Sequence, residues 1–187
     1  MRFLMGLGSW ILSLAAGIIA ALFITLFVVQ PTYVEGSSME PTLQNKDKIL
    51  INKVPSTLNR VPDYGDIVVI DSRVREPHSF EDDLSYNIKH NLISQLFVPS
   101  NDNRYWIKRV IGKAGDTLEL RDGKILRNGK EIQESYIKEK AVYPKITVKV
   151  SENQVYVMGD NRNVSRDSRE IGCVPLSHVL GKYQFKF

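Results

Sequence analysis

Thr117-Leu118-Glu119-Leu120-Arg121-Asp122-Gly123-Lys124-Ile125-Leu126-Arg127-Asn128-Gly129 holds two short runs joined by Asp-Gly and closed by Asn-Gly. Those dipeptides accept the positive φ angles of a type I′ turn, whose twist matches that of paired antiparallel strands. The stretch therefore predicts a β-hairpin followed at once by a second tight turn. Working outward, Ile49–Lys53, Asp66–Asp71 behind the Tyr64-Gly65 turn, Tyr105–Val110, Lys145–Val150 and Val155–Met158 also read as short strands bounded by turn residues. The expected fold is mainly β, an antiparallel-sheet domain with a small β insert at about 115–150.

One segment departs from this pattern. Phe80, Leu84, Ile88, Leu92 and Leu96 recur every four residues, and Ser79 with Asp82 forms a helix-start signature. An amphipathic helix is predicted over 79–97, with an apolar stripe that packs on the sheet or meets a membrane or a partner.

The amino-terminal region is of another kind. Phe3–Val34 contains no charged residue, and its strongly apolar part, Trp10–Val29, has about the 20 residues that a helix needs to cross a hydrocarbon core. A cleaved secretory signal would have a shorter apolar run ending in small residues; here Ala15, Ala16, Gly17, Ala20 and Ala21 lie inside the run, which ends in Phe27-Val28-Val29-Gln30-Pro31. Residues 1–30 are therefore expected to be a tail and transmembrane anchor, with Pro31 ending the helix and 31–187 forming the β-rich domain. Arg2 and the amino terminus on one side, and Glu35 and Glu40 on the other, favour a cytoplasmic amino terminus.

Composition excludes several classes. A net charge of +4 without a block of like charges does not suit a nucleic-acid binder. The single Cys173 excludes an internal disulfide or multi-cysteine metal site and reads as a small buried hydrophobe. His78, His90 and His178 lack metal-ligand spacing, so neither a metal nor another cofactor is expected.

The chemistry-bearing residues are a serine and a lysine. Ser38 lies in a turn-rich stretch just after the apolar segment, and its hydroxyl needs a base before it can act as a nucleophile. None of the three histidines has the setting of that base. Lysine can serve only when neutral, and at an ordinary pKa of about 10.4 roughly one molecule in a few thousand is neutral at pH 7. Lys108 shares a strand face with Trp106 and Val110, a setting that removes an ammonium from water and lowers its pKa. On strand pattern alone, an edge lysine reaching past Trp106 to solvent fits equally well. Gly159–Arg169 is dense in hydrogen-bonding groups, and by itself reads equally as a loop held by its own side chains.

Taken in order, the anchor, Gly36-Ser37-Ser38-Met39-Glu40-Pro41-Thr42-Leu43, Gly65-Asp66-Ile67-Val68-Val69, Ile107-Lys108-Arg109-Val110-Ile111-Gly112 with Gly115-Asp116, and Met158-Gly159-Asp160-Asn161-Arg162 through Ser165, Asp167, Ser168 and Arg169 resemble the type I signal peptidases. These are serine/lysine proteases that remove signal peptides from exported preproteins. The resemblance implies that Ser38 is the nucleophile, Lys108 the general base and Ser165 the residue orienting that lysine. Asp160, Arg162, Asp167 and Arg169 would brace the site, Asp167 and Arg169 as an ion pair. Some members carry a serine two residues before the nucleophile; Gly36 at that position resembles the Gram-positive form and leaves the oxyanion to the Ser38 backbone N–H and the Gly36 region. The resemblance further implies an Ala-x-Ala preference and a substrate strand added alongside Gly65–Ile70 and Tyr105–Val110. It also implies a single-pass protein of a bacterial cell membrane with its catalytic domain outside, near lipid and the secretion translocon. A narrow-specificity maturation protease with the same dyad, and a non-catalytic membrane-anchored peptide-binding domain, are the alternatives.

Overall fold

The computed structural model describes residues 2–58, 60–90, 103–143 and 145–187. Helix α1 (Arg2–Phe27) opens the chain and leads directly into β1 (Val29–Tyr33). Its Trp10–Phe27 window has a mean hydropathy of 2.4 and is not buried against the rest of the protein, so the helix is long and apolar enough to cross a membrane. The helix ends three residues before the expected limit at residue 30, and Pro31 lies within β1 instead of closing the helix. Strand β1 is an edge strand, where the N–H that proline lacks is not needed for the ladder.

The remaining elements are β2 (Lys48–Asn52), α2 (Val54–Thr57), β3 (Ile67–Asp71), α3 (Phe80–His90), β4 (Tyr105–Lys113), β5 (Thr117–Arg121), β6 (Lys124–Arg127), β7 (Lys130–Glu131), β8 (Ile146–Lys149), β9 (Gln154–Met158), α4 (Ser168–Ile171), β10 (Val174–Pro175) and β11 (Val179–Lys186). Among the described residues they form a seven-stranded sheet ordered β1-β2-β11-β3-β4-β9-β10 and a four-stranded sheet ordered β7-β6-β5-β8. All the described strand pairs are antiparallel. In the β5–β6 turn, Asp122 and Gly123 have φ of 50° and 74°, and Asn128 and Gly129 follow with 54° and 77°, the left-handed pairs that these dipeptides favour.

Packing explains the order. The Ile-Val-Val-Ile run of β3 is buried on both faces. Ile67 and Val69 join Val34, Met39, Leu43, Ile49 and Ile51 on one face, while Val68 and Ile70 join Val110, Val155 and Val157 on the other. The smaller sheet contributes Leu118, Leu120 and Ile125 to a third cluster with Ile111, Tyr156 and Met158, against which half-buried Cys173 packs.

Helix α3 begins with a reciprocal cap: Asp82 N–H donates to Ser79 Oγ (3.3 Å) and Ser79 N–H to Asp82 Oδ2 (3.1 Å). Its first turn is tied to the end of β3, since Arg73 pairs with Asp71 and Asp82 at 2.6 Å each. His78 lies 3.3 Å from Asp71 and 3.0 Å from Asp83, bonds that push its pKa up to about 9. Within the expected stripe Leu84 is 38% exposed, and Tyr86, outside the stripe, is buried at 2%. The expected continuation over 91–97 lies outside the described residues.

Candidate active site

Ser38 follows β1 on a loop held from both ends. Met39 and Leu43 are buried beneath it, the Gly36 N–H donates to Asn45 Oδ1 (3.0 Å), and Asn161 binds the Ser38 carbonyl through its N–H (3.0 Å) and the Ser37 carbonyl through Nδ2 (3.1 Å). Gly36 sits at φ +84° with open space around its Cα. Backbone conformation, not crowding, therefore disfavours a serine there. Among the described residues the Ser38 N–H donates to no other atom, so this amide remains a free donor beside the hydroxyl.

Strand β4 supplies Lys108, whose Nζ donates to Ser38 Oγ (2.8 Å) and to the Ile107 carbonyl (3.0 Å). The lysine is 3% exposed, with Nζ 5.6 Å from the Trp106 ring centroid, so it does not reach past Trp106 to bulk water. Burial pushes its pKa down to about 8; Asp167 and Asp160 pull the other way and Arg169 assists the fall. At that value roughly one molecule in ten is neutral at pH 7, several-hundred-fold more than for a solvated lysine.

The Gly159–Arg169 loop closes behind this pair. Asp167, fully buried, accepts from the Gly159 N–H (3.0 Å) and pairs with Arg169, whose Nε lies 2.8 Å away. Arg169 also binds the Arg162 carbonyl (2.7 Å) and the Ser165 carbonyl (3.1 Å). Arg162 donates to the Gly159 carbonyl (2.9 Å), to Glu134 and to the Tyr143 hydroxyl. Asp160 receives Arg109 through Nε (2.8 Å) and Nη2 (2.6 Å), and the Thr42 hydroxyl as well. A Cβ at Gly159 would collide with Ser165 Oγ and the Ser38 carbonyl, so glycine is required by this close approach. Burying these charges in hydrogen-bonded pairs fixes the loop in one arrangement.

Ser165 differs from expectation in its bonding. Its hydroxyl donates to the Arg166 carbonyl (3.3 Å), and among the described residues Lys108 bonds only Ser38 and Ile107. Ser165 nonetheless packs at the Gly159 close approach beside Ser38. Sequence reasoning missed Arg109, Thr42, Asn161, Glu134 and Tyr143. Asn161 and Arg109 lay within the quoted motifs, where their polarity could have marked them; Glu134 and Tyr143 come from the insert and carry no local signal.

The surrounding cleft, about 430 Å3, is lined by Thr32, Gly36 and Ser37 beside Ser38 and by Val69, Tyr86, Tyr105, Trp106, Ile107, Val164 and Arg166. The expected peptide edge needs correction along Gly65–Ile70, because β3 is already paired with β4 on one side and β11 on the other. Strand β4 differs along its length: β9 joins it only from Arg109 onward. Opposite β3, Tyr105–Lys108 has no described strand partner. Alternation in the ladder turns the Tyr105 and Ile107 backbone groups to the side away from β3.

The profile of the family described as Signal peptidase, peptidase S26, matches residues 7–187. The chain is 34% identical over 174 residues to a probable signal peptidase I-1 of Synechocystis sp., covering 93% of this chain and 79% of that protein. It is 32% identical over 192 residues to a signal peptidase I of Bacillus licheniformis, covering 96% and 87%. A crystal structure of a signal peptidase I from Enterococcus faecalis V583 is 25% identical, with a TM-score of 0.46 over 66% of this chain and 97% of that one. With the profile spanning nearly its whole length, and relatives at this identity spanning most of theirs, the chain belongs to the signal peptidases of peptidase family S26, serine endopeptidases.

Proposed function

We propose that this protein removes signal peptides from exported preproteins through a Ser38–Lys108 dyad. Neutral Lys108 takes the Ser38 proton as Oγ attacks the scissile carbonyl. The Ser38 N–H receives the developing oxyanion, the protonated lysine returns its proton to the leaving amine, and water then releases the acyl group by the reverse sequence. The observation that carries this reading is the 2.8 Å contact between a buried lysine with a lowered pKa and a serine hydroxyl in an open cleft. Asp167, Arg169, Asp160 and Arg162 act as positioning residues that hold the Gly159 loop against Ser38, and Ser165 fills the space behind it.

The substrate adds as an extended strand along Tyr105–Ile107. Because β9 closes the edge beyond Arg109, the residues before the cut run back from Ile107 toward Tyr105. Positions one and three before the cut point to the same side of that strand, position one toward Ile107 and position three toward Tyr105 and Tyr86. Narrow pockets there accept alanine and exclude larger side chains, giving an Ala-x-Ala preference. Helix α1 spans the membrane as a type II anchor with the β domain on the extracytoplasmic side, beside the lipid surface and the secretion translocon.

The test is cleavage of a preprotein bearing an Ala-x-Ala site by detergent-solubilised wild type and by Ser38→Ala, with the new amino terminus mapped. Cleavage after the final alanine by wild type alone is expected. Cleavage confined to one dedicated substrate would favour a maturation protease, and binding of the peptide without cleavage would favour a peptide-binding domain.

A further inference from the structure

Helix α3 brings Tyr86 into the cleft. The side chain is 2% exposed, yet it lines the same cavity as Ser38, Lys108, Thr32, Val69 and Ile107. Its ring is held from two directions: the Tyr105 ring lies 4.5 Å away, and Lys53 Nζ lies 5.6 Å from its centroid. The capping box and the Arg73 and His78 contacts fix the start of the helix that carries Tyr86.

Strand geometry locates the ring relative to a bound peptide. Position one before the cut lies by Ile107, next to Lys108 and Ser38. Position three lies two residues back, about 7 Å along the strand, beside Tyr105. The Tyr86 ring is tilted against Tyr105 and lines the cleft with Val69, which sets it beside the path of the position-three side chain.

We propose that Tyr86, supplied by the inserted helix α3, forms the wall of the subsite for the side chain three residues before the cleaved bond and limits the size of that side chain. The inference rests on the signal-peptidase reading of the cleft and assigns α3 a role in substrate selection. A pocket wall of this kind acts through steric exclusion, and one or two methylenes of misfit commonly change kcat/KM by ten-fold or more.

The experiment uses the full chain in detergent and a preprotein series carrying alanine, valine or leucine at position three before the cut, with a parallel series at position one. The readout is the kcat/KM ratio of leucine to alanine at each position. Tyr86→Leu and Tyr86→Ala are expected to raise the ratio at position three by about ten-fold or more, with no matching rise at position one. Tyr86→Phe, which keeps the ring, is expected to keep the wild-type ratio. Because Tyr86→Ala opens a cavity in a packed cluster, thermal melting accompanies each variant, and Tyr86→Leu carries the test if the alanine variant is unfolded. An unchanged position-three ratio in folded Tyr86→Leu, or an equal rise at both positions, overturns the proposal. Failure of wild type to cleave the all-alanine site in a Ser38-dependent manner would instead overturn the underlying reading, so the two failures are distinguishable.

Discussion

Two lysines in this protein are equally exposed to solvent and differ in what they face. Lys53 and Lys108 are each 3% exposed, and burial lowers each to a pKa of about 8. Lys108 faces a serine hydroxyl at 2.8 Å on the wall of an open cleft. Lys53 faces the Gln30 side chain at 3.5 Å and the Tyr86 ring, with Asp83 offsetting part of its fall in pKa. Desolvation alone thus makes a lysine neutral enough to be a base, and the neighbouring group decides whether it is one.

The sharpest way to break this comparison is to remove each lysine. Ser38→Ala and Lys108→Ala are expected to lower kcat for preprotein cleavage by about 10^3-fold or more, and Lys108→Arg to fail equally, because a guanidinium does not deprotonate. Lys53→Met is expected to stay within about three-fold of wild type. Full cleavage by Lys108→Ala would remove lysine from the mechanism, and a collapse in folded Lys53→Met would make the two sites equivalent.

The next effect concerns the ion pairs behind the base. Asp160 is fully buried against Arg109. Removing one partner strands the other charge, so Asp160→Ala is expected to cost about 3–5 kcal/mol in chemical denaturation, whereas Arg166→Ala, which breaks the exposed Arg166–Glu170 pair, costs less than about 1 kcal/mol.

Titration sharpens the contrast further. The proposed mechanism requires neutral Lys108, so kcat/KM is expected to rise with pH and level off above an apparent pKa near 8. A rise centred above pH 10 would show a lysine still in water. Because its folded pKa lies below the unfolded value, buried Lys108 destabilises the fold most below pH 8, by roughly 3 kcal/mol, and that cost falls between pH 8 and 10.5. Lys108→Met is therefore expected to raise the unfolding free energy at pH 7 as it removes activity.

The smallest expected effect has the opposite sign. His78 has a folded pKa of about 9, raised from 6.5 by Asp71 and Asp83, so its stabilisation of the α3 start is complete below pH 6.5 and is lost as pH rises through 9. Burial acts to raise Asp71, but the His78 and Arg73 bonds outweigh it and hold that carboxylate well below its usual range. Wild type should lose about 1–2 kcal/mol more than His78→Gln between pH 6.5 and 9.5, read from denaturation midpoints. Parallel pH profiles for the two proteins would count against this role for His78.

Local order was readable where one residue pair dictates a backbone state. Asp122-Gly123 and Asn128-Gly129 gave the turns, Ser79 and Asp82 the helix start, and the uncharged run through Phe27 a helix long and apolar enough to cross a membrane, because each depends on neighbours in the chain. Pro31 misled, since its meaning differs between a helix end and an edge strand, and only the sheet order distinguishes them. The exposure of Leu84 was not readable, because a periodic stripe says which residues share a side, not which side meets the core.

The sequence by itself determined the antiparallel β class, the apolar helix and the residue types able to support serine chemistry, because propensity, patterning and motif spacing are local properties. The tertiary structure decided that Lys108 is buried instead of solvated, that its Nζ meets Ser38, that Glu134 and Tyr143 of the insert hold Arg162, and that β9 joins β4 from Arg109 onward. Each of these joins segments dozens of residues apart, and dielectric environment and strand pairing exist only once those segments pack together.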